Sequence, residues 1–184
     1  KYGRMPDVAG FAELENRGVL QKLLSSTLLR KYGYGIVHHD SGDRRGIDVG
    51  LIYRRSSLVY VSHSLKTPYH EGERLATRDI LHVCLEHKDG SHMHFIVNHH
   101  PSKYGGARES EGRRNAAMTA LKQVCDSLAE VSDGPLIAMG DFNDTPDAEA
   151  FHLVEGTLAN KGEKIHKKGE GTIRYEGKWE LIDM

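Results

Sequence analysis

The chain has 184 residues, of which 38% are hydrophobic and 28% are charged, and its 25 Lys and Arg residues nearly balance its 26 Asp and Glu residues. This composition excludes a wholly disordered, collagen-like or coiled-coil protein, and no apolar run approaches the roughly 20 residues that a membrane-spanning helix needs. A net charge of −1 gives no global basic field of the kind that drives non-specific binding of nucleic acid.

Short apolar or alternating runs predict strands at eight places along the chain. They are Val8–Leu14, Tyr34–His38, Ile47–Tyr53, Val59–Ser64, Ile80–Glu86, His92–His99, Pro135–Phe142 and Thr172–Asp183. Helical periodicity predicts helices over Arg17–Arg30, with Asn16 as N-cap, over Glu111–Glu130 and, less regularly, over Asp147–Leu158. The Lys- and Gly-rich segment Lys161–Gly171 predicts a mobile loop. Because strands are many and helices few, we expect packed sheets covered by helices.

The cysteine and histidine content limits the disulfide and metal sites that the chain can form. Two cysteines, Cys84 and Cys125, exclude a disulfide scaffold and leave one bridge between them open. Twelve histidines invite a metal site, but they are scattered and show no HExxH or Cys/His spacing typical of zinc. His92 and His94 alternate along one predicted strand, which indicates an exposed strand face.

The motif Gly140-Asp141-Phe142-Asn143-Asp144 follows an apolar strand directly. Asp141 and Asn143 lie two residues apart and so share one face, at a rigid strand end that suits catalytic positioning. An Asx-rich turn leaving the strand explains the same residues equally well, and the spacing alone does not separate the two interpretations.

Two other strand ends carry polar residues. His99 follows the apolar run of residues 95–97, and an imidazole there can bond a phosphate, orient water or bind a metal. Glu13 ends the first strand, where a carboxylate is a natural ligand for a hard cation. Surface histidines beside a turn, and solvated charges at a helix start, remain the alternatives.

Asp48 lies inside the apolar strand Ile47–Tyr53. Burial of an acid is costly unless it is paired, and a histidine is the obvious partner. A solvated strand face is the alternative.

The motifs PDVAGFAELENR, RRGIDVGLIYR, VNHHPS and GDFND appear in this order along the chain. Together they resemble the endonuclease/exonuclease/phosphatase superfamily, which has the fold of pancreatic deoxyribonuclease, and most closely its bacterial branch. The likeness runs from about Pro6 to Asp183. It implies one α/β (α+β type) domain over residues 1–184, a four-layer sandwich in which two mainly antiparallel sheets pack face to face with helices outside.

The resemblance also implies a role for each matching residue. Glu13 corresponds to the ligand of a catalytic Mg²⁺ or Mn²⁺, and Asp141 to the acid that orients or deprotonates the attacking water. Asn143 corresponds to the carboxamide that holds a phosphate oxygen, and His99 to the histidine that donates to the phosphate. Asp48 is similar in position to the acid that pairs with that histidine.

Further candidates are less specific. Asp183 resembles the acid that orients a second catalytic histidine. Arg45, Arg17 and Asn98 are candidate contacts of the substrate, the two arginines because of their charge and position. These assignments predict in-line attack by water on a phosphoester without a covalent intermediate.

Two features of the family are absent from this sequence. An N-terminal strand carrying an Asn, and C-terminal strands carrying a Ser-Asp-His motif, have no counterpart. We therefore expect that the family domain extends beyond both ends, and that a molecule confined to these residues is inactive or nearly so.

Several functions fit these motifs. The first is a metal-dependent phosphodiesterase or endonuclease, and the second a phosphomonoesterase or lipid phosphodiesterase, because substrate choice depends on loops. The third is a degenerate member that acts as a binding module. Two basic loops, one with Lys103, Arg108, Arg113 and Arg114 and one with Lys161, Lys164, Lys167 and Lys168, either steer a phosphate ester, nucleic acid included, or are simply solvated. Localisation, cytoplasmic or exported, and oligomeric state are left open.

Overall fold

The computed structural model describes residues 4–184. Eleven strands are present among them: β1 Val8–Leu14, β2 Tyr34–His38, β3 Asp48–Arg54, β4 Leu58–Lys66, β5 Tyr69–His70, β6 Glu73–Arg74, β7 Ile80–His87, β8 His92–His99, β9 Leu136–Asp141, β10 Ile173–Tyr175 and β11 Lys178–Glu180. The α-helices are α1 Arg17–Ser26, α2 Glu111–Val131 and α3 Glu163–His166, and 3₁₀ turns cover Leu28–Lys31 and Glu149–Val154.

Two main sheets form the centre of the molecule. The first has the order β1-β3-β2 and is antiparallel throughout. The second has the order β4-β7-β8-β9 and is antiparallel except for the parallel pair β8 and β9. The predicted mixed α/β sandwich of mainly antiparallel sheets is confirmed.

Three apolar clusters define four layers. Residues from both sheets, among them Leu51, Leu81 and Val97, are fully buried between them. Leu20 of α1 packs with Leu14 and other residues on the outer face of the first sheet. Met118 and others of α2 pack on the outer face of the second sheet, and all these clusters exclude water from apolar surface, which is the dominant stabilising term.

The first helix is shorter than its periodicity predicts. Asn16 caps it as expected, since its side chain accepts from the N–H of Val19 at 3.3 Å. The helix stops at Ser26 because Thr27 adopts an extended conformation. The hydroxyl of Thr27 donates to the carbonyl of Leu23 and accepts from the N–H of Leu29, and so joins the helix to the 3₁₀ turn.

The segment predicted as one final strand is a hairpin followed by a short extended stretch. Strands β10 and β11 pair across Glu176 and Gly177, which both have positive φ, as a two-residue turn requires. The chain then runs alongside β9, and Met184 and Gly140 exchange two backbone hydrogen bonds at 2.6 and 2.9 Å. The short helix α3 lies within the segment that was predicted to be a mobile loop.

Two other expectations are settled by burial. His94 is buried rather than exposed, because it bonds to His82 and Ser132, each at 2.9 Å. Cys84 and Cys125 are both buried and free, so the bridge left open by the sequence is not formed. None of the helices found among residues 4–184 has the length and apolar character needed to cross a bilayer.

Candidate active site at one end of the sandwich

Strands β8 and β9 are parallel and end together, and β1 of the other sheet packs against both of them. Gly10 of β1 lies over Val97 of β8 and Met139 of β9, so the residues that follow Gly10 approach the carboxyl ends of both strands. His99 is the register partner of Asp141. The fold therefore brings Glu13, His99 and Asp141 to one end of the sandwich, as the sequence predicts.

Glu13 lies where the pairing of β1 with β3 is irregular. The register shifts between Phe11 and Leu14, and Glu13 has φ of 56°, which is uncommon for a residue with a side chain. Its side chain is exposed while the next residue, Leu14, is buried. The bulge thus turns a carboxylate out of the sheet at the strand end, and such strain is concentrated at functional sites.

Asp141 is placed by the glycine before it. A side chain at Gly140 would put Cβ 2.1 Å from the carbonyl oxygen of Asn98, and φ there is 127°, so only glycine fits. Oδ1 of Asp141 accepts from the N–H of Asn143 at 2.8 Å. The turn predicted as an alternative to a catalytic motif therefore exists, and it is the device that fixes the acid.

Burial raises the pKa of Asp141 to about 6, and the negative charges of Asp183 and Glu13 act in the same direction. The hydrogen bond from Asn143 and the charge of Arg78 oppose this shift. Asp141 is thus a carboxylate whose pKa lies close to neutral pH, as a general base needs.

Asn143 is held in a left-handed conformation with φ of 51°. Its Nδ2 donates to the carbonyl of His100 at 3.0 Å, which fixes the plane of the carboxamide. One amide hydrogen and the amide oxygen remain for a ligand.

His99 is buried at the end of β8, and its Nε2 lies 3.5 Å from Oδ2 of Asp141. Burial and the positive charges of Arg78 and Arg45 lower its pKa to about 3. The imidazole is therefore neutral at physiological pH and carries a single N–H. No group of residues 4–184 bonds its buried Nδ1.

The predicted pairing of Asp48 with His99 is wrong. Oδ2 of Asp48 lies 3.0 Å from Nε2 of His38, and Oδ1 accepts from the N–H of Ser41 at 2.8 Å. Asp48 begins β3 and His38 ends β2, so they meet at the edge of the first sheet. The acid is satisfied locally and orients the turn after β2 rather than the histidine of β8.

Asp183 lies beside Asp141 in an isolated antiparallel bridge and is exposed. Its negative charge raises the pKa of Asp141. No histidine contact is recorded for it among residues 4–184, so its predicted role in orienting a second histidine stays a prediction.

The substrate contacts predicted from the sequence fare differently. Arg45 is 58% exposed at its side chain, and its charge acts on His99. Arg17 is exposed at the start of α1, four residues after Glu13 along the chain. Asn98 has no exposed surface, and its Nδ2 donates to the carbonyls of Ile96 and Met139, so the predicted contact with substrate is replaced by a structural role.

Arg78 and Asp43 were not predicted and connect the loops around the site. Nη1 of Arg78 donates to Asp43 at 3.0 Å, and Nη2 donates to the carbonyl of His100 at 2.9 Å. Asp43 also accepts from the backbone N–H of Arg45 at 2.9 Å. The charged pair Arg78-Asp79 directly before an apolar strand was the only sequence signal for this link.

Two of the four basic residues in the first predicted basic loop are paired with an acid. Arg114 is buried and donates to Asp144 at 2.8 Å, while Lys103 lies 3.2 Å from the same carboxylate. In the second loop Lys167 pairs with Glu163. Neither Arg114 nor Lys167 is available to steer a substrate.

Three carboxylates near this end of the sandwich offer oxygen donors of the kind that a divalent cation binds. Glu13, Asp141 and Asp183 come from three separate segments, and the two other carboxylates raise the pKa of Asp141. Oxygen donors of this kind are what hard cations prefer. Among residues 4–184, the group whose ligand atoms lie within 4.8 Å of one another is instead His38, Asp40 and Asp48, in which Asp48 already bonds to His38 and Ser41.

Comparison with known families gives one match that covers almost the whole chain. The model described as "Endonuclease/Exonuclease/phosphatase family" matches residues 2–184. Among curated proteins, none matches the sequence.

Solved structures of similar fold come from several organisms. The catalytic domain of human Nocturnin with bound sulfate has a TM-score of 0.75 at 19% identity, over 97% of this chain and 67% of that one. TDP2 from D. rerio with a single-strand DNA product gives 0.61 at 18%, over 97% and 69%. A mannosyl-6-phosphatase from Bacteroides thetaiotaomicron gives 0.60 at 16%, over 80% and 55%. At these identities the likeness shows a shared fold, and the chain spans about half to two thirds of the length of these proteins.

Proposed function

The chain belongs to the endonuclease/exonuclease/phosphatase family, and from this premise we propose that it is a divalent-metal-dependent phosphoester hydrolase acting on phosphodiesters. The observation that carries the proposal is the convergence of three strand ends. They bring Glu13, His99 and Asp141 together, with Asn143 locked beside them. A carboxylate, a neutral imidazole, a base and a carboxamide are the groups that phosphoester hydrolysis by water requires.

Each side chain has a distinct part in this mechanism. Glu13 would hold the cation, Mg²⁺ or Mn²⁺, with its exposed carboxylate at the bulge of β1. When bound, the cation neutralises phosphate charge and polarises the phosphoryl group as a Lewis acid. Asp141 accepts the proton of the attacking water, because its pKa of about 6 leaves it ionised at neutral pH and still basic.

The remaining groups stabilise the charge that develops on the phosphoryl oxygens. Neutral His99 donates its single N–H, and Asn143 donates its second amide hydrogen. Both donors are fixed in advance, His99 by burial and Asn143 by the carbonyl of His100. Preorganised donors of this kind act without reorganisation at the moment of reaction.

The test is hydrolysis of bis(4-nitrophenyl) phosphate with Mg²⁺ or Mn²⁺. Asp141→Asn keeps the shape of the side chain and removes the base, so we expect turnover to fall by about 100-fold or more while the protein stays folded. Asp147→Asn, an exposed acid in the following turn, is the control and keeps full turnover. Unchanged turnover in Asp141→Asn, or full turnover with excess chelator, would contradict the proposal.

A phosphomonoesterase is the second candidate. It is favoured by the fold shared with the mannosyl-6-phosphatase, whose name denotes action on a phosphomonoester. The hydrolytic residues serve either substrate class, because the loops and not the centre select the substrate. Comparing 4-nitrophenyl phosphate with its diester separates the two: the diester is the better substrate if the first candidate is right.

A further inference from the structure

A cavity lies next to the proposed hydrolytic centre. Its volume is about 620 Å³, which is within the range of pockets for small ligands. Its walls come from the loop after β2, residues 75–78 before β7, the loop after β8 and the start of α2. The loop after β8 begins directly beyond His99 and His100, so the cavity continues from the reactive end of the sandwich.

The walls of this cavity are strongly basic. Arg45, Arg78 and Arg113 line it, with Asp43 as the single acid. Asp43 is already occupied by Nη1 of Arg78 and by the backbone N–H of Arg45. Arg113 is exposed and, within residues 4–184, has no recorded ion pair or side-chain hydrogen bond. The cavity therefore has an excess of positive charge that its own residues do not compensate.

Two lining residues also have buried polar atoms without partners. Arg78 is 4% exposed and Thr77 is 5% exposed, yet within the described residues 4–184 neither Nε of Arg78 nor Oγ1 of Thr77 has a hydrogen-bond partner. Buried polar groups are almost always bonded, because leaving one unpaired costs stability. These two adjacent residues therefore need a partner that residues 4–184 do not supply, and beside a surplus of guanidinium groups an anion is the partner that suits them.

Apolar and aromatic residues of the lining suit a ring. Tyr104 is 90% exposed, and Leu75, Ala76 and Pro101 add apolar surface. An exposed aromatic side chain beside arginines can stack on a sugar or base while the anion is held.

The cavity is rigidly linked to the hydrolytic centre. Nη2 of Arg78 and Nδ2 of Asn143 donate to the same carbonyl oxygen, that of His100, at 2.9 and 3.0 Å. A group held near Arg78 is thereby fixed relative to the carboxamide that faces the scissile phosphate. Such fixed spacing is what allows binding energy at one group to orient another.

We propose that this cavity binds a second phosphate group of the substrate, so that the enzyme prefers a phosphoester whose ring-bearing part carries another phosphate. This inference rests on the proposed function and adds to it the class of substrate. The second phosphate belongs either to a small bisphosphate or to the next unit of an oligonucleotide, and the recognition chemistry is the same in both.

The kinetic test compares the dinucleotides pApA and ApA, each with Mg²⁺, because they share the same scissile diester and differ only in the second phosphate. We expect kcat/KM for pApA to exceed that for ApA about tenfold, the worth of one charged hydrogen bond. Arg113→Gln should bring this ratio close to one. Arg108 is an exposed arginine of the loop before α2 and does not line this cavity, so Arg108→Gln should leave the ratio unchanged. The matching pair of small nucleotides, adenosine 3′,5′-bisphosphate and adenosine 5′-monophosphate, serves for the binding measurement.

A binding measurement separates failure of this inference from failure of the proposed function. Calorimetry in excess chelator should show that the bisphosphate binds about tenfold more tightly than the monophosphate, and that Arg113→Gln removes the difference. If the preference persists but no substrate is hydrolysed, the anion site stands and the hydrolase does not. Equal affinity for the two nucleotides in the unmodified protein, or a preference untouched by Arg113→Gln, would overturn the inference.

Discussion

The backbone N–H of Asn143 donates to Oδ1 of Asp141 at 2.8 Å, so the carboxamide and the base of the proposed site are fixed by one turn. The second oxygen of Asp141 faces His99, and the carboxylates of Glu13 and Asp183 act on it from other segments. The pKa of Asp141 is therefore set by the tertiary structure, and the pH dependence of activity can test its value.

Activity should depend on the ionisation of Asp141. Its pKa is raised to about 6, so the proton-accepting form is lost as the pH falls through that value, and kcat/KM should fall with it. A bound cation favours the ionised form, and we expect the acid limb to move to lower pH as the metal concentration rises. Profiles of kcat/KM against pH at two Mg²⁺ concentrations measure this. A profile that is flat, or that does not respond to the metal, would contradict it.

Gly140 should be intolerant of a side chain. In Gly140→Ala the new Cβ meets the carbonyl of Asn98 at 2.1 Å at a φ of 127°, so we expect a loss of more than about 3 kcal/mol in the free energy of unfolding. Gly177→Ala is the matched control, since φ is 84° there and nothing lies within 4 Å. We expect it to cost about 1 kcal/mol. Urea denaturation compares the two, and similar losses would mean that close packing at Gly140 is not what requires glycine.

The partner of Asp48 can be identified by a double-mutant cycle. Asp48→Asn and His38→Gln remove the two sides of one bond, so their effects on the free energy of unfolding should couple by about 1 kcal/mol or more. Asp48→Asn and His99→Gln share no partner, and their effects should add within about 0.5 kcal/mol. Coupling of Asp48 with His99 instead would restore the pairing that the sequence suggested.

A buried chain of hydrogen bonds under α2 should make stability depend on pH. Ser64, His82, His94 and Ser132 are linked in that order at 3.1, 2.9 and 2.9 Å. Burial, together with the charges of His94 and His63, lowers the pKa of His82 from 6.5 to about 4. The unfolded chain therefore takes up a proton at His82 below about pH 6.5, while the folded chain does so only near pH 4.

The contribution of His82 to the free energy of unfolding is therefore fully present above pH 6.5. It should be lost as the pH falls from about 6.5 to 4, which lowers the free energy of unfolding by roughly 1 to 3 kcal/mol. Urea denaturation at pH 7, 6 and 5 measures the slope for comparison with His82→Gln, in which it should be shallower. His92→Gln changes an exposed histidine of the neighbouring strand and should leave the slope intact. An identical slope in both variants would show that His82 is not responsible.

Hydrophobic patterning was enough to predict most of the elements. Strand β1 and strand β8 have the predicted bounds, and α2 differs by one residue, because periodic burial is written into each segment. The predicted bounds were wrong where a local hydrogen bond or a tight turn ends an element. Thr27 ends α1 early through its hydroxyl, and the turn at Glu176 and Gly177 splits the last predicted strand.

The site was predictable in its parts and not in its connections. Each candidate residue is a polar residue at or just after the end of an apolar strand, and the family resemblance implied its role. These residues are Glu13, His99, Asp141 and Asn143. The pairing of Asp48 with His38 and of Asn98 with Met139 could not be predicted, because each partner lies on a neighbouring strand whose register no local pattern reveals.

The sequence by itself determined most of the element types and the family, and it proposed the candidate reactive groups, since these depend on local spacing and on motifs. Only the tertiary structure decided which carboxylate faces which imidazole, that Arg78 joins the loops around the site, and that Asp141 titrates close to neutrality. The reason is that hydrogen bonding, desolvation and charge interaction act across space, between segments far apart in the chain, and become defined only when the two sheets pack.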